Sequence, residues 1–429
     1  MQKIKVINNG TVLINSDFIM DPWIYGNLYN NSWSPFPKNN FDKKKLKKIK
    51  FCFISHLHQD HWDLDTIKHF DKKVKFFLPK LPFNKVIEKG LNKCGFKNVT
   101  YIKYGKFEKI SDDYEIAVVP PLNKGALETD IINPYDDNAI AIDTGLILKS
   151  TKLKINHLIL FDNSPYDINI FKNFFKNIKI HSLFFNYNGF AQDYPLKYNM
   201  LSPSQKKKIS YNLQLKKEKY IVNFINYIKP KTLVPHSSDF ILNQNRKLFF
   251  STHSKDFLDK HKYAERINKI TNIKTFALYS KDTLFIDKNN FHAEIKTNNN
   301  ERNLKNPPMK LSFPKASVKK FENVLSEAFD KMLERIKTYN LTIPKSKLGL
   351  DFGSSKYLID FKKKTITKNK FSKKDTLILL TRKSIFKLIL ERKIHINNAT
   401  IGCYLNWERY PNKYLNFRDL YQSLNFFHI

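Results

Sequence analysis

Short apolar runs that end in polar residues recur along the first two thirds of the chain. The start, MQKIKVINNGTVLINSDFIM, alternates apolar and polar positions, as a half-buried strand does. Other strand-like runs are KVKFFLP, YEIAVVP, NAIAIDTGLIL, INHLILFD, IHSLFFNYNG and KTLVPHSSDF, and they end in turn-forming or ligand-type residues. Helical stretches lie between some of these runs. The pattern therefore predicts an α+β domain in which strands outnumber helices.

The pattern changes at the polar, Asn-rich segment IKTNNNERNLKNPPMK, which two prolines interrupt. Beyond it, SVKKFENVLSEAFDKMLERIK and TRKSIFKLILERK have helical spacing, and SKYLIDF and TLILL are strand-like. A chain of 429 residues is too long for one ordinary core. We therefore predict a larger domain over 1–295, a linker over 296–308 and a smaller α+β domain of unknown role over 309–429.

The densest chemistry in the sequence is FISHLHQDHWD, which follows a buried strand and precedes a segment of helical spacing. His56 and His58 are two apart, so both side chains point the same way from an extended backbone. Asp60 and His61 follow in the turn. Imidazole and carboxylate together suit zinc or a similar first-row ion. A histidine-rich surface loop is the alternative, but four ligand-type residues in six positions favour a metal site.

Two more ligand-type residues stand at the ends of other strand-like runs. Asp162 follows HLILF, and His236 follows KTLVP. Loops at strand ends are where a β-scaffold collects its functional groups. Either residue alone would more often be a turn former or a surface group. Together with the first cluster, both are predicted to be metal ligands.

The formal charge of +36 comes almost entirely from lysine spread along the chain, with little arginine. Arginine is the residue that contacts phosphates and base edges in bidentate fashion, so no specific nucleic-acid partner is expected. Three separated cysteines provide neither a disulfide framework nor a cysteine-rich zinc site. No apolar stretch reaches membrane-spanning length, and the start lacks the features of a signal peptide. These observations lead us to expect a cytoplasmic protein.

The HxHxDH pattern, followed in order by Asp162 and His236, resembles the metallo-β-lactamase superfamily. That resemblance implies a four-layer αββα sandwich with metal ions at the sheet edges. More narrowly, DPWIYGNLYNNSWSPFP and LFFNYNGFAQDYP are similar to segments of CMP-N-acetylneuraminic acid hydroxylase and its bacterial relatives. This similarity implies an enzyme acting on a sugar or nucleotide-sugar, a small-molecule partner, in surface polysaccharide metabolism.

The superfamily's usual ligand arrangement implies two metal positions. One ion would be held by His56, His58 and a further histidine, and the other by Asp60, His61 and His236, with Asp162 bridging. The segment 120–143 contains no histidine, which leaves the first position one ligand short. Carboxylates that would substitute there are Asp130, Asp136 and Asp137. Oxygen ligands shift the preference toward harder ions, so one or two divalent ions are expected: zinc, or alternatively iron or manganese.

The resemblance to a hydroxylase implies a reaction that needs a source of electrons. A Rieske iron–sulfur cluster needs paired Cys and His ligands, and the sequence has no such pairs. We therefore expect no Rieske cluster, and any hydroxylation would need a separate electron donor. For hydrolysis, which is the default reaction of metal-activated water, Asp60 is the candidate catalytic residue.

The candidate substrate-binding residues are Asp21, Trp23 and Trp33. The two tryptophans are included because aromatic faces pack well on sugar rings. Alternatively, the tryptophans simply close the edge of the sandwich. Two other functions remain open. A phosphodiesterase or RNA-processing nuclease is consistent with the basic charge and the HxHxDH motif. A non-catalytic metal-binding relative is consistent with the missing histidine.

Overall fold

The structure is a computed structural model. It describes residues 1–39, 41–122, 142–187, 196–244, 246–252, 259–288, 290–297, 308–368 and 373–429. The alternation noted in the sequence forms strands where it was predicted. The strands, numbered in chain order, are β1 (Gln2–Asn8), β2 (Thr11–Ile14), β3 (Phe18–Met20), β4 (Trp33–Pro35), β5 (Phe51–Phe53), β6 (Lys75–Pro79), β7 (Val99–Ile102), β8 (Glu108–Lys109), β9 (Tyr114–Val119), β10 (Gly145–Ser150), β11 (Ile155–Ile159), β12 (Ser182–Asn186), β13 (Thr232–His236), β14 (Phe240–Leu242), β15 (Thr283–Ile286), β16 (Phe291–Glu294), β17 (Lys347–Asp351), β18 (Lys356–Asp360), β19 (Thr365–Lys368), β20 (Thr376–Leu380) and β21 (Asn406–Tyr410).

The α-helices of the described residues lie mostly between these strands. They are α1 (Leu64–Ile67), α2 (Lys85–Lys93), α3 (Ile168–Phe174), α4 (Pro203–Ile228), α5 (Arg246–Thr252), α6 (Lys260–Thr271), α7 (Phe321–Thr338), α8 (Lys383–Leu390), α9 (Ile396–Ile401) and α10 (Arg418–Ser423). None of the described helices combines the length and the apolar character that crossing a membrane requires.

Two sheets pack face to face in the first part of the chain. One has eight strands in the order β16-β15-β1-β2-β3-β5-β6-β7, and the other has six in the order β13-β12-β11-β10-β9-β8. Because side chains alternate along a strand, Val12 and Ile14 enter the core between the sheets, whereas Leu13 points to the outer face. In the second sheet, Val118 enters the same inner core and Val119 points outward.

Helices cover both outer faces. Ile67 of α1 and Leu91 of α2 join the core outside the eight-stranded sheet. Phe171 of α3, Phe224 of α4 and Tyr263 of α6 join the core outside the six-stranded sheet. The layers are therefore helix, sheet, sheet and helix, which confirms the predicted αββα sandwich.

The C-terminal part forms a third sheet, in the order β19-β18-β17-β20-β21, with α7 and α8 packed in its core. This agrees with the predicted α+β composition. The part is not isolated, because Leu213 of α4 belongs to the same core and Tyr198 forms a β-bridge with Trp407. The sandwich strands end at Glu294. Most of the predicted linker, including Pro307, lies outside the described residues, and the domain boundary remains a prediction.

The order of the strands brings the candidate ligands to one edge. β11, β12 and β13 are parallel neighbours, so the residues that follow their carboxyl ends lie side by side. β3 and β5 are likewise parallel neighbours in the facing sheet. The polar segments after these strands therefore meet across the open edge of the sandwich.

Candidate metal centre

The loop between β5 and α1 carries the His-rich segment. Buried β5 ends at Phe53, and α1 begins after Asp63, whose carboxylate accepts hydrogen bonds from the backbone N–H groups of Asp65 and Thr66. This capping fixes where the loop ends. Within it, the backbone N–H of His61 donates to the carbonyl of His58 at 3.0 Å. Strand end and helix cap thus hold the loop in a compact turn.

One set of side chains, here called the His56 group, consists of His56, His58 and Asp143. Their ligand atoms all lie within 4.8 Å of one another. His56 Nε2 is 2.8 Å from His58 Nδ1 and 3.6 Å from Asp143 Oδ1. His56 and Asp143 are buried, while His58 is partly exposed. These are two nitrogen donors and one oxygen donor around a common space.

A second set, the His61 group, consists of Asp60, His61 and Asp162, with ligand atoms also within 4.8 Å. His61 Nε2 is 3.2 Å from Asp60 Oδ2 and 3.2 Å from Asp162 Oδ2. The same Asp162 oxygen lies 4.0 Å from His56 Nε2. Asp162 therefore stands between the two groups, where a bridging carboxylate would have to be.

His236, at the end of β13, is fully buried, and Asn186, its partner on the neighbouring strand, donates to Asp162. Its Nδ1 is 3.1 Å from Ser237 Oγ, and its Nε2 has no hydrogen-bond partner among the described residues. Asp143 Oδ1 likewise has no hydrogen-bond partner among the described residues. Buried polar atoms are nearly always satisfied, so an orphaned imidazole nitrogen and an orphaned carboxylate oxygen at one site indicate missing ligand contacts. Both residues fit divalent metal ions.

The charges of the cluster point the same way. Burial alone would lower the pKa of His61, but Asp60, Asp162 and Asp21 together raise it well above its usual value. Burial, followed by the negative charge of Asp162, raises the pKa of Asp143 to about 7. Four carboxylates are thus crowded into a small space, where a divalent cation would compensate their charge.

The His61 group is held by a second layer of contacts. Asp21 Oδ2 is 2.6 Å from His61 Nδ1 and accepts from Ser55 Oγ at 2.6 Å. Asp60 accepts from the Tyr29 hydroxyl at 2.7 Å and from Asn9 Nδ2 at 2.8 Å. Such partners fix the ring and carboxylate orientations of metal ligands.

The glycine at position 10 lets the backbone approach His61. A Cβ there would lie 3.2 Å from His61 Cε1 and 3.3 Å from His61 Nδ1. These distances are tighter than ordinary van der Waals contact, so a side chain would push against the ring. The loop after β1 therefore acts as a backing for this imidazole.

The structure brings five of the six predicted ligands into the two groups, and His236 lies beside them. The substitute carboxylates proposed from the sequence, Asp130, Asp136 and Asp137, lie outside the described residues. Asp143 was not among those proposals, yet it occupies the place next to His56 and His58. Its sequence signal is the apolar run AIAI directly before it, the same signal that pointed to Asp162.

The candidate substrate residues are placed differently from the expectation. Both oxygens of Asp21 are engaged, one by His61 and Ser55 Oγ and the other by the backbone N–H of Ser55 at 2.7 Å. Trp23 is fully buried, and Trp33 is stacked on Phe240 with ring centroids 3.5 Å apart. Neither tryptophan presents an open ring face. Their burial agrees with the alternative that they close the edge of the sandwich.

The two facing sheets, the outer helices and the His/Asp cluster at the strand ends now decide the architecture. The chain has a metallo-β-lactamase fold. No family model matches the sequence. Among solved structures of similar architecture is CmlA, a diiron β-hydroxylase from Streptomyces venezuelae, with 13% identity and a TM-score of 0.42, covering 65% of this chain and 53% of that one. Another is an isothiocyanate hydrolase from Delia radicum gut bacteria, with 13% identity and a TM-score of 0.45, covering 67% of this chain and 99% of that one.

Curated relatives match a smaller part of this metallo-β-lactamase-fold chain. A Mycobacterium tuberculosis protein whose name describes a Rieske 2Fe-2S iron–sulfur protein is 28% identical over 188 residues, 42% of this chain and 33% of the relative. The cytidine monophosphate-N-acetylneuraminic acid hydroxylase of Xenopus laevis is 23% identical over 134 residues, 29% of this chain and 22% of the relative. The chain thus spans a third or less of the length of these relatives.

Proposed function

We propose that the protein is a metal-dependent enzyme whose active site holds two divalent ions at the edge of the sandwich. The observation that carries this proposal is a pair of orphaned buried atoms: Asp143 Oδ1, within the His56 group, and His236 Nε2, on the strand next to Asn186. His56, His58 and Asp143 would hold one ion, as a three-ligand set that leaves a position open. Asp60, His61 and His236 would hold the other. Asp162 would bridge the two.

The default reaction is hydrolysis. Bound ions of this kind polarise a substrate oxygen and lower the pKa of coordinated water from about 15.7 toward about 7. Asp60 is the residue proposed to orient that water or accept its proton, because its carboxylate belongs to the His61 group, with Oδ2 3.2 Å from His61 Nε2. Tyr29 and Asn9 limit its movement by donating to its two oxygens.

A hydroxylation is the second candidate, and Asp143 is the specific observation in its favour. A carboxylate in place of a third imidazole adds a hard oxygen donor, which shifts the preference of the His56 group from zinc toward iron or manganese. Iron would allow oxygen chemistry as well as hydrolysis. Residues 1–429 contain no Cys/His pairs of a Rieske cluster, so the electrons for such a reaction would come from outside these residues.

The proposed substrate is a sugar or nucleotide-sugar of surface polysaccharide metabolism. Support comes from the DPWIYGNLYNNSWSPFP and LFFNYNGFAQDYP segments and from the partial match to the Xenopus hydroxylase, whose name specifies a nucleotide-sugar. The formal charge of +36 would attract an anionic substrate of this kind at long range.

Metal analysis of the purified protein tests the proposal. After loading with zinc, manganese or ferrous iron and dialysis, we expect two ions per chain in the wild type. Asp143→Ala and His236→Ala should each retain fewer. His157→Gln is the matched control, because His157 is equally buried but is bonded to Ser182 and Gln2 far from the cluster. A folded wild type that takes up none of the three metals would overturn the proposal.

Activity assays then separate the two reactions. Nucleotide-sugars should be turned over without oxygen if the enzyme is a hydrolase, and only with oxygen and a reductant if it is a hydroxylase. An RNA panel covers the nuclease alternative. We expect RNA binding without sequence preference that weakens steeply between about 50 and 200 mM salt. RNA cleavage that His58→Ala abolishes would favour the nuclease instead.

A further inference from the structure

Helix α4 places a lysine behind the metal centre. The Lys217 side chain is only 3% exposed, although an ammonium group is costly to bury unless it is paired and hydrogen-bonded. No carboxylate lies close enough for a direct ion pair with it among the described residues. Its burial therefore calls for another source of compensation.

An amide connects Lys217 to the bridging carboxylate. Lys217 Nζ donates to Asn186 Oδ1 at 3.0 Å, and Asn186 Nδ2 donates to Asp162 Oδ1 at 2.8 Å. Only one orientation of the amide satisfies both neighbours, with its oxygen toward the ammonium and its nitrogen toward the carboxylate. The lysine thus fixes Asn186, and Asn186 fixes the Asp162 oxygen that does not face the histidines.

The charges near Lys217 also connect it to the metal centre. Burial lowers its pKa to about 8, while Asp162 and Asp143 act against that shift. In turn, the ammonium is one of the charges that favour the ionised form of Asp143. One buried cation is therefore connected through Asn186 to Asp162 and interacts electrostatically with Asp143, which adds a negative charge that a histidine there would not bring.

We propose that Lys217 is an internal counter-cation and positioning residue of the metal centre. It compensates the charge of Asp143 and Asp162 while no ion is bound, and it orients Asp162 through Asn186. Divalent ions take over the compensation when they bind, so Lys217 stabilises the metal-free protein more than the loaded one. This inference rests on the proposed metal-binding function.

The test compares thermal unfolding of chelated and metal-loaded protein. In the chelated state, Lys217→Met should lower the Tm by at least about 5 °C, because it leaves buried carboxylates without their cation. With zinc or manganese bound, the loss should be much smaller. By the same thermodynamic cycle, Lys217→Met should hold the added ion about tenfold more tightly than the wild type in competition with a chelator.

Three further variants isolate the charge effect. Lys217→Arg should keep the stability of the chelated protein, because it keeps the cation. The double variant Asp143→Asn, Lys217→Met should be more stable in the chelated state than Lys217→Met alone. Lys206→Met is the matched control on the same helix: Lys206 is also buried, but it donates to the Leu196 carbonyl rather than facing the centre. Lys206→Met should lose equal stability with and without metal.

Each outcome decides the question. Equal losses for Lys217→Met in both states, as for Lys206→Met, would overturn the inference and leave a purely structural lysine. If Lys217→Met alone fails to fold, the double variant decides, since rescue by Asp143→Asn supports the charge pairing and its failure contradicts it. A wild type that takes up no metal would refute the proposed function, whereas the chelated-state comparisons would still test the pairing with Asp143.

Discussion

The two ligand groups are close together but are supported very differently. In the His61 group, every member has a partner outside the group: Asp21 for His61, Tyr29 and Asn9 for Asp60, and Asn186 for Asp162. In the His56 group, outside support comes mainly from Ser55, whose Oγ is 2.9 Å from His56 Nδ1. Ligand spacing in a loop brings donors together, but the surrounding contacts determine how firmly each half of the centre is preorganised.

The largest expected contrast is between His61→Ala and His56→Ala. We expect the ion at the His61 group to be the more tightly held of the two. His61→Ala should lose this tightly held ion, because the remaining ligands of its group cannot define a zinc-type site. His56→Ala should mainly weaken the binding of the looser ion, at the His56 group. Asp60→Ala and His236→Ala should resemble His61→Ala. The measurement is metal content per chain after dialysis against a weak chelator, with circular dichroism to verify folding. Equal losses in all four variants would contradict the difference between the groups.

The identity of the third ligand in the His56 group should affect metal preference. Asp143→His replaces an oxygen donor by a nitrogen donor and removes a negative charge, so zinc should gain over manganese by on the order of tenfold. Competition between the two metals, followed by metal analysis, measures this ratio. Asp143→Asn is the control that removes the charge without adding an imidazole. An unchanged ratio for Asp143→His would mean that Asp143 is not a ligand.

Asp21 should matter next, because it supports the His61 group directly. Asp21→Asn keeps the size of the side chain but removes the negative charge beside His61 Nδ1. We expect the tightly held ion to bind about 10–100-fold more weakly, as is typical for a lost partner of a ligating histidine. Ser55→Ala provides the comparison, since its hydroxyl contacts both His56 Nδ1 and Asp21 Oδ2. Its loss should weaken the binding of both ions, and that of the ion at the His61 group less than Asp21→Asn does. Chelator titrations of both variants would show whether the effects separate in this way.

The smallest effect is expected for Tyr29→Phe. This change removes only the hydroxyl that donates to Asp60 Oδ1, while Asn9 still donates to Oδ2. The affinity for the tightly held ion should fall by about tenfold or less. The same chelator titration measures it, and Asn9→Ala tests the other donor. A loss as large as that of His61→Ala would show that the hydroxyl does more than orient Asp60.

Much of the fold and part of the centre could be predicted from local pattern. Alternating residues such as Val12 and Leu13 reveal strands because each face of the sheet meets a different core. The His56–His61 loop was recognisable because its ligands are adjacent in sequence. Asp162 was recognisable because an apolar run precedes it. A strand end determines the position of the residue that follows it, but the αββα layering and the two metal positions were predicted from the superfamily resemblance.

Other features depend on contacts that no local pattern contains. Asp21 looked like a substrate residue, but the parallel pairing of β3 with β5 places it against Ser55 and His61. Trp33 was a candidate substrate-binding residue, and the structure shows its Nε1 donating to the carbonyl of Ile401 at 3.1 Å. Asp143 follows an apolar run, as Asp162 does, but only its approach to His56 and His58 distinguishes it from the other aspartates of its segment. In each case the decisive neighbour is distant in the sequence.

The contacts around Tyr29 have a consequence for the order of folding. The segment 28–33 is attached to the C-terminal part, where Ser32 Oγ donates to the Gly402 carbonyl and the Tyr404 hydroxyl donates to Asn30 Oδ1 at 2.9 Å. Contacts spanning some 370 positions form late, because a very long loop must close first. During synthesis, the segment beside Tyr29 would therefore gain these contacts only after the part of the chain that carries Gly402 and Tyr404 has docked.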